Sequence, residues 1–192
     1  GVYHVIKLTE YGCRTLGKLT LAAEDNKLVG LWIEGQKYFR SACKDGFIYS
    51  DDDITLCKTK EWLDCYMNGE KPEISELKLA PKGGEFRQSV WKILCEIPYG
   101  ETTTYGEIAK EIAHLNGIER MSAQAVGNAV GHNPISIIIP CSSGVNSVNT
   151  RASGLEISFS PLRTNSYSSG TSSLYNLKLR SMVFLLSRPD CF

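Results

Sequence analysis

The chain has 192 residues, 42% of them hydrophobic, and its 21 Lys and Arg residues balance 21 Asp and Glu residues to a formal net charge of zero. This composition is typical of a soluble globular protein with one large domain or two small ones. No apolar run is long enough to cross a membrane, no signal peptide is visible, and the balanced charge does not favour strong nonspecific binding to nucleic acid.

Residues 1–80 are expected to form a small α/β domain. Three short runs, Val2–Leu8, Gly17–Ala23 and Lys27–Ile33, have the composition of strands. The polar tripeptide Glu24-Asp25-Asn26 separates the last two runs, so we expect a hairpin there.

A helix is predicted next in the same domain. Asp51-Asp52-Asp53 can cap its positive end, apolar residues between Ile54 and Tyr66 fall at helical spacing, and Gly69 stops it. The stretch 73–84 is typical of a linker, so a second domain is expected over residues 82–192.

The second domain is predicted to be mainly helical. Its first helix has one apolar face, formed by Phe86, Val90, Trp91, Leu94 and Ile97. Thr104 and Glu107 form a capping box for a second helix over Tyr105–Ala113. Ser122 can cap a third helix that ends near Gly131. Two short helices with a turn between them indicate a helix-turn-helix.

The third helix is unusually rich in small residues, namely Ala123, Ala125, Gly127, Ala129 and Gly131. Because glycine lowers helix stability, the pattern indicates that another molecule or backbone approaches this helix closely. Tight packing against a neighbouring helix explains the pattern equally well.

The apolar run Ile135–Ile139 is expected to be a buried strand that delivers Cys141 to the mouth of a pocket. Asn133 precedes the run and can supply a polar contact there. A lone cysteine is more often a buried structural residue than a nucleophile. Here, however, the third helix of the helix-turn-helix, 122–131, leads directly into the strand that ends at the cysteine, so the cysteine is attached to a helix expected to bind DNA, which favours a chemical role.

Seven cysteines occur at scattered positions, and none forms a Cys-x-x-Cys pair. Their odd number and irregular spacing argue against a disulfide framework and against a zinc cluster. We therefore expect reduced thiols, no bound metal and a cytoplasmic protein, associated with the nucleoid if it is bacterial.

The sequence after Cys141 differs in kind. It is rich in serine from Ser142 to Ser181 and shows no clear period before residues 174–186, which could form a last helix. This composition is typical of a loop or of disorder.

Residues 86–141 resemble the C-terminal domain of the O6-alkylguanine-DNA alkyltransferases, also called methylated-DNA–protein-cysteine methyltransferases. The matching segments are 86–91, 97–106, 125–129, 131–134 and 137–141. The first domain resembles the family's small domain at Leu28–Trp32 and Gly35–Phe39. The resemblance implies a ribonuclease-H-like α/β domain, with a small antiparallel sheet plus a helix, followed by a mainly α, winged-helix-like helix-turn-helix domain.

The resemblance also implies a function, which is DNA repair by direct reversal of damage. Members of the family flip O6-alkylguanine out of double-stranded DNA and transfer the alkyl group irreversibly to a cysteine thiolate. O4-alkylthymine is a further candidate substrate. No cofactor is required, because the damaged base is itself the electrophile. The implied partner is DNA, and we expect a monomer.

Roles follow from the positions that match. Cys141 corresponds to the alkyl acceptor, Tyr105 to a tyrosine that helps to turn out the nucleotide, and Asn133 to an asparagine behind the cysteine. Gln124 stands where many members have an arginine that fills the gap left by the flipped base. The other residues expected to contact DNA are Gly106, Ser122, Ala125, Gly127 and Asn128. Without such roles, Tyr105 would simply cap a turn and Asn133 would end a helix.

The chain departs from the family pattern at Ser142-Ser143, where the family has His-Arg. A serine hydroxyl is too weak a base to replace the histidine. One hypothesis is a frameshift, because a T placed before CAT-CGG-GT changes His-Arg-Val to Ser-Ser-Gly. Residues 142–192 would then be an out-of-frame or disordered tail.

Two alternatives to an active repair protein stay open. One is a repair-inactive protein that binds alkylated guanine, and the other is a crippled, truncated homologue. Retention of Cys141 favours repair, since known binding-only relatives replace that cysteine. A helix-turn-helix regulator is less favoured, because the small-sided helix offers almost no side chains that could read bases.

Overall fold

The structure is a computed structural model that describes residues 5–43, 46–98 and 101–140, together with the backbone of 156–158. Two compact units divide the chain. The described part of the first unit runs to Lys82 and includes the short segment Pro134–Ser136; the second contains Gly83–Asn133 and continues from Ile137. Cys141, the Ser142-Ser143 pair and the predicted last helix, 174–186, lie outside the described residues.

The first unit is built on a four-stranded sheet in the order β3-β2-β1-β4. Its strands are β1 (Lys7–Cys13), β2 (Gly17–Glu24), β3 (Lys27–Ile33) and β4 (Ile48–Tyr49). The pairs β1–β2 and β2–β3 are antiparallel, as predicted, whereas β4 adds to β1 in parallel. The sheet is therefore mixed, and the two-residue β4 is too short to leave a pattern in the sequence.

The two hairpins differ in how well the sequence predicted them. Between β2 and β3, Asp25 and Asn26 adopt φ of 51° and 58°, which is the turn geometry that matches the twist of the flanking strands. Strand β1 lies further along the chain than the predicted Val2–Leu8. Its pairing runs from Lys7 opposite Ala23 to Cys13 opposite Gly17. The exposed Glu10 and Gly12 interrupt the apolar pattern of β1, which concealed it.

Helix α1 (Ile54–Met67) has the bounds that its apolar spacing predicted. Asp53 is the N-cap, and its Oδ1 accepts hydrogen bonds from the backbone N–H groups of Thr55 (2.9 Å) and Leu56 (3.2 Å). The helix contacts the sheet and buries apolar side chains such as Trp62 and Leu63. A short 3-10 helix, Ile74–Glu76, follows in the linker.

The outer edge of β3 is covered by two segments that are distant in sequence. Leu28 N–H donates to Lys78 O, and Ala80 N–H donates to Leu28 O, both at 2.8 Å. Further along, Leu31 forms a parallel bridge with Ile135. The backbone groups of β3 on this edge are therefore satisfied although no full strand pairs there.

The second unit contains three helices within its described residues, α2 (Glu85–Glu96), α3 (Tyr105–Leu115) and α4 (Ala123–Gly131). The predicted capping box is present, since Glu107 N–H donates to Thr104 Oγ1 at 3.1 Å and Thr104 N–H donates to Glu107 Oε2 at 2.7 Å. Strand β5 (Thr102–Thr104) pairs antiparallel with the backbone of β6 (Glu156–Ser158). None of the helices among the residues described above is long and apolar enough to cross a membrane.

The run Ile135–Ile139 is not the strand that the sequence predicted. Ile135 alone makes a bridge, after which the backbone turns, with Ile137 at φ 73°. The residues from Asn133 to Pro140 are all buried. A short apolar run fits a buried turn as well as a buried strand, so its composition could not distinguish them.

Candidate functional site

The outer face of α4 consists of small side chains and one longer one. Val126, Ala129 and Val130 are buried, and α4 contacts α2 and α3. Ala123 and Gln124 are exposed, whereas the other outward positions are half-buried: Ala125, Gly127, Asn128 and Gly131. Packing between helices therefore explains the buried Ala129, whereas the small residues that face outward leave room for another molecule, whose close approach stays a prediction.

Ser122 and Tyr105 lie where the two helices of the helix-turn-helix begin. Ser122 is the N-cap of α4, and its Oγ accepts a hydrogen bond from Ala125 N–H at 3.4 Å. Tyr105 is the first residue of α3 and is half-buried, with its ring against Gly127. Gly106 has open space by comparison, since a Cβ there would meet only Thr104 Oγ1, at 3.8 Å.

A fixed negative charge lies at the start of α3. The Glu107 carboxylate accepts hydrogen bonds from Thr104 N–H, Thr104 Oγ1 and Thr103 Oγ1. These bonds, that from Thr104 N–H above all, hold the pKa of Glu107 below its usual value. The carboxylate is therefore ionised at neutral pH and stabilises the positive end of α3.

The segment from the start of α3 to the end of α4 carries little positive charge. Its basic residues are Lys110 and Arg120, against three acidic ones, Glu107, Glu111 and Glu119. Gln124 is exposed in the first turn of α4 but is uncharged. Any polyanion that binds this surface is therefore held by close contact more than by charge.

Asn133 connects the end of α4 to the segment that leads toward Cys141. Its backbone N–H donates to Val130 O at 3.0 Å, and its Nδ2 donates to Ile139 O at 2.9 Å. Asn133 is 6% exposed, so water does not substitute readily for these bonds. Asn133 therefore contacts a carbonyl two residues before Cys141 in the chain, and Cys141 itself lies outside the described residues, so the expected contact with its pocket stays a prediction.

Three cysteines of the described chain have raised pKa values. Burial raises the pKa of Cys95 to about 11, and it also raises the pKa of Cys43. A hydrogen bond with Glu70, followed by burial, raises that of Cys65. A thiol with a raised pKa carries little thiolate at neutral pH, so these three are poor nucleophiles. Within the described ranges, no three His, Cys, Asp or Glu side chains are grouped so as to hold a metal ion.

One buried contact was not predicted from the sequence. The side-chain oxygen of Gln36 accepts hydrogen bonds from Ile33 N–H and from the Ser136 hydroxyl, both at 3.0 Å. Gln36 and Ser136 are 100 residues apart in the chain, so no local pattern points to the pair.

Comparison with known proteins identifies relatives of both units. The family model described as "6-O-methylguanine DNA methyltransferase, ribonuclease-like domain" matches residues 9–81. The model of the same family's "DNA binding domain" matches residues 85–154.

Two curated relatives are methylated-DNA–protein-cysteine methyltransferases of Methanosarcina species. That of Methanosarcina barkeri is 43% identical over 129 residues, which are 66% of this chain and 67% of the relative. That of Methanosarcina mazei is 38% identical over 166 residues, which are 81% of this chain and 90% of the relative.

Two solved structures from Mycobacterium tuberculosis are also similar. The first, of OGT in complex with DNA, has a TM-score of 0.55 and 32% identity, and the match covers 74% of this chain and 78% of that one. The second, of O6-methylguanine methyltransferase, has a TM-score of 0.60 and 30% identity, with coverage of 97% and 96%.

Proposed function

Because the chain belongs to the 6-O-methylguanine DNA methyltransferase family, we propose that it repairs alkylated DNA by transferring a methyl group to one of its own cysteines. The two domain models match it in order along the chain. The relatives are named for this activity, and one of the similar structures contains DNA. These names favour a methyltransferase over a protein that only binds the lesion.

We infer that the acceptor is Cys141. It lies inside the segment matched by the DNA-binding domain model, directly after the buried residues 133–140. The raised pKa values of Cys43, Cys65 and Cys95 make those thiols weaker candidates. In the transfer, the thiolate sulfur forms a bond to the methyl carbon while the bond from that carbon to O6 breaks, and the released guanine takes up a proton. No further reactant enters this balance.

The second unit's helix-turn-helix supports an approach to the minor groove of double-stranded DNA. The outer face of α4 is small enough to let the DNA backbone come close, and its N-terminus, at Ser122, favours a phosphate. Gln124 is the side chain long enough to enter the space left by a flipped O6-alkylguanine. Tyr105 and the α4 residues Ala125, Gly127 and Asn128 would line the same surface, with Gly106 beside them.

A single copy of the chain contains both Cys141 and α4, so we propose that it acts as a monomer. On this proposal its place in a bacterial cell is the nucleoid, where its substrate is. Serine at position 142 provides no general base, and such assistance is typically worth about 10²–10⁴-fold in rate. We therefore expect transfer to be slow.

Mass spectrometry tests the proposal directly. Incubation with a duplex that contains one O6-methylguanine should add one methyl group to the intact protein, and peptide mapping should place it on Cys141. Cys141→Ala should abolish the gain, whereas Cys95→Ala should retain it. Methylation at another cysteine would contradict the assignment of Cys141, and no methylation after prolonged incubation with excess duplex would contradict the function.

A further inference from the structure

A closed set of buried hydrogen bonds lies at the outer edge of β3, within the first unit. Leu31 N–H donates to Pro134 O at 2.8 Å, and Ser136 N–H donates to Leu31 O at 2.9 Å. The Ser136 hydroxyl then donates to Gln36 Oε1, which also accepts from Ile33 N–H. We call the pair of side chains the Gln36–Ser136 clamp.

Both side chains of the clamp are shielded from water. Gln36 is 6% exposed and Ser136 is 3% exposed. Gln36 is itself held by the turn after β3, where its N–H donates to Ile33 O at 3.1 Å and Gly35 has φ 82°. Its side-chain oxygen therefore occupies a fixed position, and loss of either bond would leave a buried polar group unsatisfied.

The clamp immediately precedes a strained residue. Ile137 has φ 73°, a conformation that is costly for a β-branched side chain. Such strain persists where the flanking groups are held in place. On one side Ser136 has two hydrogen bonds, and on the other Ile139 O accepts from Asn133 Nδ2. The chain reaches Cys141 two residues after Ile139.

We propose that Gln36 and Ser136 are positioning residues for the transfer, because they hold Ile137 in the conformation from which the chain proceeds to Cys141. The inference rests on the proposed role of Cys141 as the acceptor. Neither residue is assigned contact with the substrate, so the clamp should affect the rate of transfer and leave DNA affinity unchanged.

Variants that remove the Ser136 hydroxyl or the Gln36 side-chain oxygen test the role of the clamp. Ser136→Ala and Gln36→Met should lower the single-turnover rate at saturating O6-methylguanine duplex by about 10–100-fold, as expected of a small misplacement of reacting groups. The dissociation constant for the duplex should not change. Gln36→Glu keeps the accepting oxygen and should restore most of the rate.

Thr59→Val is the matched control. It removes a buried hydroxyl from the same unit, one that donates to Thr55 O at 2.8 Å. We expect it to lower the melting temperature but to leave the rate unchanged. If Thr59→Val slows transfer as much as Ser136→Ala does at equal loss of stability, the clamp has only a structural role and the proposal is wrong.

Glycine at position 137 provides a second test. Glycine adopts a positive φ without the strain of isoleucine, so the conformation no longer needs to be enforced. Ser136→Ala should therefore slow transfer less in the Ile137→Gly background than in the wild-type chain. An equal loss in both backgrounds would show that Ser136 does not act through Ile137.

A readout without DNA separates this inference from the proposed function. Iodoacetamide labelling, followed by peptide mass, should modify Cys141 faster in Ser136→Ala than in the wild type, with Cys95 labelled equally in both. If Cys141 is labelled at the same rate in Ser136→Ala and in the wild type, the proposed role of the clamp is wrong. A wild type that never accepts methyl, combined with faster labelling in the variant, would instead refute the repair function and leave the clamp supported.

Discussion

The ring of Tyr105 lies against the backbone of Gly127, so that a Cβ atom at position 127 would be 3.1 Å from Cε2 and 3.3 Å from Cδ2. Tyr105 begins α3 and Gly127 is in the middle of α4. The contact therefore joins the two helices of the helix-turn-helix, and a side chain at residue 127 would require the ring to shift by a few tenths of an ångström.

Gly127→Ala should separate stability from activity. Alanine is favoured over glycine in a helix by up to about 1 kcal/mol, so the melting temperature should change little or rise. The added methyl should shift the Tyr105 ring by a few tenths of an ångström, so single-turnover transfer should slow. Gly12→Ala, which places a methyl where no atom lies within 4 Å, is the control for both measurements. Transfer at the wild-type rate by Gly127→Ala would exclude a role for this ring position.

Gln124→Arg should increase affinity for DNA. The surrounding surface carries little positive charge, so a new guanidinium can neutralise one phosphate and steepen the dependence of log Kd on log salt by about 0.9. Fluorescence anisotropy over a salt series measures both effects. Gln88→Arg, which adds the same charge on the exposed side of α2, should leave the slope unchanged. An equal gain from both variants would indicate nonspecific attraction.

Glu107 should contribute to stability in a defined pH range. Its pKa is lowered in the folded state, chiefly by the Thr104 N–H. The unfolded state therefore binds the proton more tightly, and the contribution is complete above the ordinary pKa of 4.5 and lost as the pH falls through the folded value. Glu107→Gln should make the melting temperature less dependent on pH below 4.5. If the melting temperature of Glu107→Gln depends on pH below 4.5 as strongly as that of the wild type, this assignment is wrong.

Asp53→Ala should destabilise the first unit through loss of the α1 cap. Asp53 Oδ1 accepts two backbone hydrogen bonds, and its Oδ2 lies 2.9 Å from Lys7 Nζ. Removal of such a cap typically costs about 0.5–2 kcal/mol in the free energy of unfolding, measured by denaturant titration. Asp53→Asn should recover much of the loss. Asp52→Ala is the control, because Asp52 is exposed and does not cap α1.

The features predicted best from the sequence were those fixed by nearby residues. The Thr104–Glu107 capping box, the Ser122 cap and the bounds of α1 depend on side chains within one or two turns. Such patterns can be recognised from the sequence because the capping side chains accept hydrogen bonds from the free N–H groups at the start of a helix only a few residues away.

The features that escaped prediction depend on distant contacts. The turn at Ile137 comes directly after Ser136, which is hydrogen-bonded to Leu31 and Gln36 about a hundred residues earlier. Its apolar composition gave no sign of them and suggested a strand instead. The candidate acceptor, Cys141, was recognised by resemblance to a family, because its local pattern alone is more typical of a buried structural cysteine.

The covering of β3 by residues 134–136 has a consequence for synthesis of the chain. The strand itself ends at Ile33, but the partner for Leu31 is translated a hundred residues later. Until that segment emerges from the ribosome, a nascent chain carries an open strand edge, which can pair with another molecule. A fragment ending at Lys82 would keep the cover at Leu28 but leave the edge open at Leu31, and it should be prone to self-association.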